Sequence, residues 1–230
     1  MKVTEYFEKA NGETLISFEV LPPLKGGSMK AIFDVLDPLM EFKPPFIDVT
    51  YHREDFIYKQ RESGYYEKAA IRKRPGTVGI CAAIMHRYGV DAVPHLLCGG
   101  FTKEDTENAL IDLNFLNINN VLALRGDARK FDGKFIREPH GHQYALDLIK
   151  QINDINNGKY LDKNIENGVP TDFCIGIAGY PEKHFESPNL ATDLAFTKQK
   201  VDAGADYIVT QMFFDNEKYF EYFSGIEFLR

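Results

Sequence analysis

The chain is poor in cysteine and in clustered positive charge, and it lacks several short motifs on which whole enzyme classes depend. Cys81, Cys98 and Cys174 are its three cysteines, and they form no CxxC pair. Neither a structural zinc site nor a dithiol redox centre is therefore expected. An odd, sparse cysteine count fits a reducing compartment, so a cytoplasmic location is expected. Acidic residues outnumber basic ones, 34 to 27, for a net charge of -7, which argues against a nucleic-acid-binding face. The one basic cluster, Arg72-Lys73-Arg74, precedes Pro75-Gly76 and reads as the solvated end of a helix. No apolar run is long enough to span a bilayer, so no membrane contact is expected. Met1 to Glu8 lacks the apolar stretch of a signal peptide. There is no GxGxxG, no GxxxxGK[ST] and no GxSxG, which sets aside Rossmann, P-loop and hydrolase-elbow sites. Any bound phosphate falls to scattered donors, with Arg125, His184 and Lys200 as candidates.

What is present points to an α/β protein. Hydrophobic residues make up 44% of the 230 positions, enough to bury one large core, and residues 1–230 read as a single domain. Val121-Leu122-Ala123-Leu124 is a continuous apolar run that ends in Arg125-Gly126-Asp127. Such a run suits a strand buried on both faces, and α/β proteins place their chemistry at the carboxyl ends of parallel strands. Ile47 to Arg53, Val93 to Cys98 and Tyr207 to Gln211 repeat the pattern.

Taken in order, the chain alternates strands with helices. A short helix over 5–11 precedes a strand from Thr14 to Leu21. Met29, Ile32, Phe33, Leu36, Leu39 and Met40 recur at helical spacing, and a second strand runs from Phe46 to Thr50. The polar stretch from His52 to Pro75 predicts a helix near 61–73. Val78 to Ile84 and Ala92 to Cys98 both look strand-like, and pattern alone does not choose between them. A helix at 103–117 is expected to bury Leu110, Leu113, Phe115 and Leu116. The strand at 121 comes next, then a loop over 128–142 and a helix at 143–153 with Leu146, Ile149 and Ile152 on one face. Residues 156–171 read as a polar excursion. A strand from Phe173 to Tyr180, a helix over 189–203 burying Leu190, Leu194 and Val201, and a strand from Ala205 to Phe214 complete the series. This gives about six βα units where a (βα)8 TIM-type barrel has eight.

Two residues stand out chemically. Glu19 shares a strand face with Ser17 and Leu21. Inside a closed barrel its carboxyl would be desolvated and held protonated, as a general acid requires; the alternative is an exposed or arginine-paired strand-end glutamate. Gln211, beside Met212, Phe213 and Phe214, offers hydrogen bonds to the edge of a flat heteroaromatic ligand with aromatic surface nearby, or is a capping residue beside core phenylalanines. His140 and His142 form an HxH pair without a carboxylate at metal-ligand spacing, so no metal is expected.

Seven motifs then occur in one order: Ser17-Phe18-Glu19-x-x-Pro22-Pro23, Val49-Thr50-Tyr51, Pro94-His95-Leu96-x-Cys98, Leu124-Arg125-Gly126-Asp127, Tyr180-Pro181-Glu182-x-His184, Lys200 to Ala205 and Thr210-Gln211-x-Phe213-Phe214-Asp215. In these the chain resembles the bacterial-type 5,10-methylenetetrahydrofolate reductases, over roughly residues 12–216. The resemblance implies a (βα)8 barrel that binds FAD noncovalently. NAD(P)H reduces the flavin and leaves; methylenetetrahydrofolate then enters and is reduced to 5-methyltetrahydrofolate, the methyl source for methionine synthesis. It implies that Glu19 donates the proton that opens the folate ring, that Asp127 stabilises the resulting cation and that Gln211 and Thr50 contact the folate. FAD contacts are implied for Thr50, His95, Arg125, Gly126, Asp127, Tyr144, Ala145, Tyr180, His184, Asp193 and Lys200.

Two departures stand against it. Phe196 and Gln199 occupy positions where some members carry polar and basic FAD contacts, and Phe223 to Arg230 does not resemble the expected continuation into strands seven and eight. A truncated chain is therefore expected, with open sheet edges that favour homo-oligomers. The other readings are a cofactor-free barrel lyase or aldolase, an inactive barrel with a binding role only, and an adhesion role for Arg125-Gly126-Asp127.

Overall fold

All four runs that turn from apolar to polar contain strands of one parallel sheet. The computed structural model describes residues 1–53, 55–71, 73–128 and 132–228. In chain order the elements are α1 (Val3–Ala10), β1 (Phe18–Val20), α2 (Met29–Leu39), a 3-10 turn (Met40–Phe42), β2 (Phe46–Val49), β3 (Asp55–Gln60), β4 (Tyr66–Ile71) and α3 (Thr77–Tyr88). They continue with β5 (Asp91–Leu97), α4 (Lys103–Phe115), β6 (Asn120–Leu124), α5 (Ala145–Asn156), β7 (Cys174–Gly179), α6 (Leu190–Asp202), β8 (Tyr207–Thr210) and α7 (Asn216–Phe228). Six strands form one parallel sheet in the order β1-β2-β5-β6-β7-β8, which curls as a partial (βα) barrel with β1 and β8 as its edges.

The sheet has two apolar layers because its central strands are apolar on both faces. On the convex side Ile47, Val49, Leu96, Val121, Ala123, Ile175 and Ile177 pack under helix residues such as Leu36, Ile84, Leu110 and Ile152. On the concave side Phe46, Val93, Leu122, Cys174 and Tyr207 gather around Val3 of α1. Helix α1 thus plugs the amino-terminal end of the sheet. Asn120 fixes it there: its Oδ1 accepts from Val3 N at 2.8 Å and its Nδ2 donates to Met1 O at 2.8 Å. Tyr6 and the chain's amino group both reach Asp91, at 2.6 and 2.7 Å. With that end sealed, the carboxyl ends of the strands are left as the place for a site.

Several expectations are corrected. Val78 to Ile84 is not a strand; it lies within α3, whose buried positions Thr77, Ile80, Cys81 and Ile84 follow helical spacing. The strand-like partner, β5, is the one in the sheet. In place of a helix near 61–73, β3 and β4 form an antiparallel hairpin with Gly64 at φ +83° in its turn. Lys73 and Arg74 therefore do not end a helix (Arg72 lies outside the described residues): Lys25 N donates to Lys73 O at 2.7 Å, and Arg74 donates to Pro22 O, so this segment grips the loop after β1. Phe115 and Leu116 are exposed, at 82% and 44%, and so is Val201 at 40%, while Leu190 and Leu194 are only part-buried. Helix α6 instead turns Asp193 and Thr197 inward. Within the predicted loop over 128–142, residues 129–131 lie outside the described residues.

Among the described residues no helix is long and apolar enough to cross a membrane. All three cysteines are free and buried, and no group of His, Cys, Asp and Glu is arranged to hold a metal ion among the described residues. His142 is instead a scaffold residue, with Nε2 2.5 Å from Gln151 Oε1.

Candidate functional site

The residues of interest fall into two groups along the carboxyl ends of the strands. The first spans β1, β2 and β5. Glu19 and Asp48 are register partners on adjacent parallel strands, so both side chains emerge on the concave face. His95, on β5, brings Nε2 to 3.6 Å from Glu19 Oε2 and 3.8 Å from Asp48 Oδ1. That nitrogen is buried and has no hydrogen-bond partner. Thr50 closes β2 against β1, its N and Oγ1 both donating to Val20 O at 3.1 and 3.3 Å. Glu19 itself is 60% exposed. Of the two readings of Glu19, the exposed strand-end position is the one this structure shows.

The second group spans β6, β7 and α6. Cys98 N and Gly99 N donate to Leu124 O and Arg125 O at 3.0 and 3.1 Å, which zips the chain after β5 to the end of β6. Gly126 follows at φ +82°, and a β-carbon there would lie 3.3 Å from Leu97 Cδ1. The turn thus needs glycine for its backbone and gains close approach to β5. Arg125 Nη1 donates to Glu186 Oε2 at 2.5 Å, and its guanidinium lies 5.2 Å from the Phe135 ring centre. This pairing raises the Arg125 pKa and lowers that of Glu186.

Tyr180, immediately after β7, meets His184 edge-on at 4.8 Å between ring centres. Burial, and then the charges of Asp127 and Asp193, raise the Tyr180 pKa. Burial and the nearby Arg125 cation lower that of His184. Asp193 organises this corner, accepting from His184 N at 3.1 Å and from Ser187 Oγ at 2.8 Å. Lys200 donates to Ala178 O at 2.8 Å. Desolvation lowers its pKa to about 8, against the opposing pull of Asp193. The result is a concentration of cationic and hydrogen-bonding groups suited to an anion, in a setting where one lysine can lose its charge in mildly basic solution.

The remaining candidates border these groups. Asp127 is exposed beside Arg125 and within electrostatic reach of Tyr180. Tyr144, 58% exposed, precedes α5, and Ala145 is that helix's first residue. Gln211 N donates to Gly179 O at 2.7 Å, which places Gln211 at the open end of β8 with Met212 and Phe214 exposed next to it. Sequence reasoning missed Asp48, Glu186 and Ser187. A lone carboxylate inside the apolar run Phe46–Val49 was the available signal for Asp48. Glu186 and Ser187 left none, because their partners are distant in sequence.

Comparison with known proteins adds the following. The sequence profile of the methylenetetrahydrofolate reductase family matches residues 3–227, a longer span than the motifs alone cover. Methylenetetrahydrofolate reductase (NADH) 1 of Arabidopsis thaliana is 33% identical over 96% of this chain and 34% of its own length. The 5,10-methylenetetrahydrofolate reductase of Escherichia coli is 31% identical over 93% of this chain and 60% of its own length. The chain thus spans about a third to three fifths of the relatives it matches. Among solved structures, a 2,3-dimethylmalate lyase of the PEP mutase/isocitrate lyase superfamily superposes with a TM-score of 0.53 at 8% identity, covering 98% of this chain and 68% of that one. At that identity the likeness is one of fold.

Proposed function

The chain belongs to the methylenetetrahydrofolate reductase family, and from that premise we propose that it carries most of an FAD-dependent site for reducing 5,10-methylenetetrahydrofolate to 5-methyltetrahydrofolate with electrons from NAD(P)H. The observation that carries the reading is the convergence of Arg125, Tyr180, His184, Asp193 and Lys200 at the ends of β6 and β7 and on α6. These residues fit a flat dinucleotide. Arg125, His184 and Lys200 suit its phosphates. Thr50, just after β2, and His95, on β5, would hold its ring.

Bound flavin would supply hydride transfer, from the reduced nicotinamide to the folate. The chain's own residues do the rest. Glu19 Oε–H donates to the ring nitrogen whose C–N bond breaks, leaving an iminium on the folate and Glu19 as carboxylate. Exposure at 60% leaves Glu19 reachable from the concave side. Asp127 places negative charge beside that cation, and Gln211 offers an amide to the edge of the folate ring. A cofactor-free lyase would need a Schiff-base lysine at a strand end. Lys200 is desolvated enough for such chemistry, but it projects from α6 and not from a strand end.

Anaerobic mixing of the purified, FAD-loaded chain tests the proposal. NADH or NADPH should bleach the flavin, and methylenetetrahydrofolate should restore its colour. A chain that takes up no flavin, or whose reduced flavin ignores the folate, would overturn it.

A further inference from the structure

We propose that Asp48 is a positioning residue for the proton donor Glu19 and acts on it through His95. The proposal rests on the reductase reading above. Its structural basis is the pair of distances at His95 Nε2, 3.6 Å to Glu19 Oε2 and 3.8 Å to Asp48 Oδ1.

The three groups form a gradient of burial. Side-chain exposure is 60% at Glu19, 15% at Asp48 and 8% at His95. The two carboxylates are register partners, and like charges in that relation repel. The imidazole between them is their natural mediator, and no other acceptor engages its Nε2. One N–H serves one acceptor well, so the two carboxylates compete for it. Asp48 is short and held in a strand interior; Glu19 is longer and open to solvent. When the His95 N–H turns to Asp48, Glu19 is released toward the concave face where the folate nitrogen would sit. Without the Asp48 carboxylate, the N–H has only Glu19 to bind, and Glu19 is drawn down onto the sheet. Three other titratable groups lie within electrostatic reach of this cluster: His52 of His95, and Cys81 and Tyr207 of Asp48.

Two measurements test this. In the FAD-loaded protein, Asp48→Ala should retain flavin and its reduction by nicotinamide within about twofold, while folate reduction slows about 10–100-fold, the penalty of a misplaced reacting group. Combined with Glu19→Gln, it should add nothing, because Asp48 acts only through Glu19. Asp48→Asn, which keeps the volume, replaces the alanine variant if that one does not fold. The second measurement needs neither flavin nor activity: imidazole 15N resonances of the flavin-free chain. The His95 Nε2 signal should move in the Asp48 variant and, separately, in Glu19→Gln, with His142 unmoved. Equal slowing of both half-reactions, full additivity in the double variant, or a His95 signal indifferent to Asp48 would each overturn the proposal. If the wild-type chain takes up no flavin, the reductase reading fails, and the resonance shifts still decide whether Asp48, His95 and Glu19 are coupled.

Discussion

Replacing Gly176 with alanine should destabilise the protein by forcing apart its concave layer where β7 meets β8. Gly176 lies on β7 opposite Tyr207 of β8. A β-carbon at 176 would sit 2.6 Å from Tyr207 Oη and 2.7 Å from its Cε2, with Cζ closer still. Carbon–carbon contacts are favourable near 3.5–4.0 Å, so the ring would have to retreat by about 1 Å. It has little room, being 7% exposed, with Phe7 edge-on at 6.2 Å and the Val3, Phe46, Val93 and Leu122 cluster around it. Overpacking of this kind costs about 1–3 kcal/mol. For a chain of this size that is a fall in Tm of about 2–4 °C per kcal/mol. Gly79→Ala is the matched control: it lies inside α3, and a β-carbon there meets nothing within 4 Å. It should be neutral or stabilise by up to about 1 kcal/mol, the helix preference of alanine over glycine. Urea unfolding followed by circular dichroism reads both. Trimming the ring with Tyr207→Leu in the Gly176→Ala background should recover part of the loss. Equal midpoints for the two alanine variants, or no recovery on trimming, would refute the packing argument.

Asp127→Asn should retain flavin and slow folate reduction by about 2.7–4 kcal/mol in barrier, roughly 100–1,000-fold in rate, because an amide stabilises a cation less well; stopped-flow absorbance would show it. Lys200 has a folded pKa of about 8 against 10.5 for the free side chain. Between those values the unfolded chain holds a proton that the folded one has released, so stability should rise with pH across that window. Urea midpoints should show this rise in the wild type and a smaller one in Lys200→Met. Asn120→Ala removes two hydrogen bonds to the Met1–Val3 backbone, leaves that buried backbone unsatisfied at a cost of about 1–3 kcal/mol, and should show as faster amide exchange throughout α1.

The parallel sheet was legible because its strands are short apolar runs with polar carboxyl ends, a pattern that survives without knowledge of neighbours. Helix α3 was not, because Val78 to Ile84 is apolar enough to pass as a buried strand; the spacing of Thr77, Ile80, Cys81 and Ile84 was the signal that separates the two. The β3–β4 hairpin escaped because Asp55–Gln60 and Tyr66–Ile71 carry no clean alternation of apolar and polar residues, leaving Ser63-Gly64 as the turn cue. At the site, residues carried by local motifs, such as Arg125-Gly126 and Tyr180 to His184, were legible. The Asp48–His95 and Arg125–Glu186 pairings were not, since strand register and loop return bring them together. The exposure of Glu19 stays open at the level of sequence for the same reason: it depends on what faces β1, and no feature of the Ser17–Pro23 motif encodes it.

The central claim is that Glu19 supplies the proton for folate reduction while flavin reduction proceeds without it. Anaerobic stopped-flow measurement of both half-reactions in FAD-loaded Glu19→Gln tests it most directly. The account predicts that NAD(P)H bleaches the flavin at the wild-type rate and that reoxidation by methylenetetrahydrofolate slows about 100–10,000-fold, the usual worth of a general acid. Equal loss of both half-reactions, or an undiminished rate of reoxidation, would contradict it.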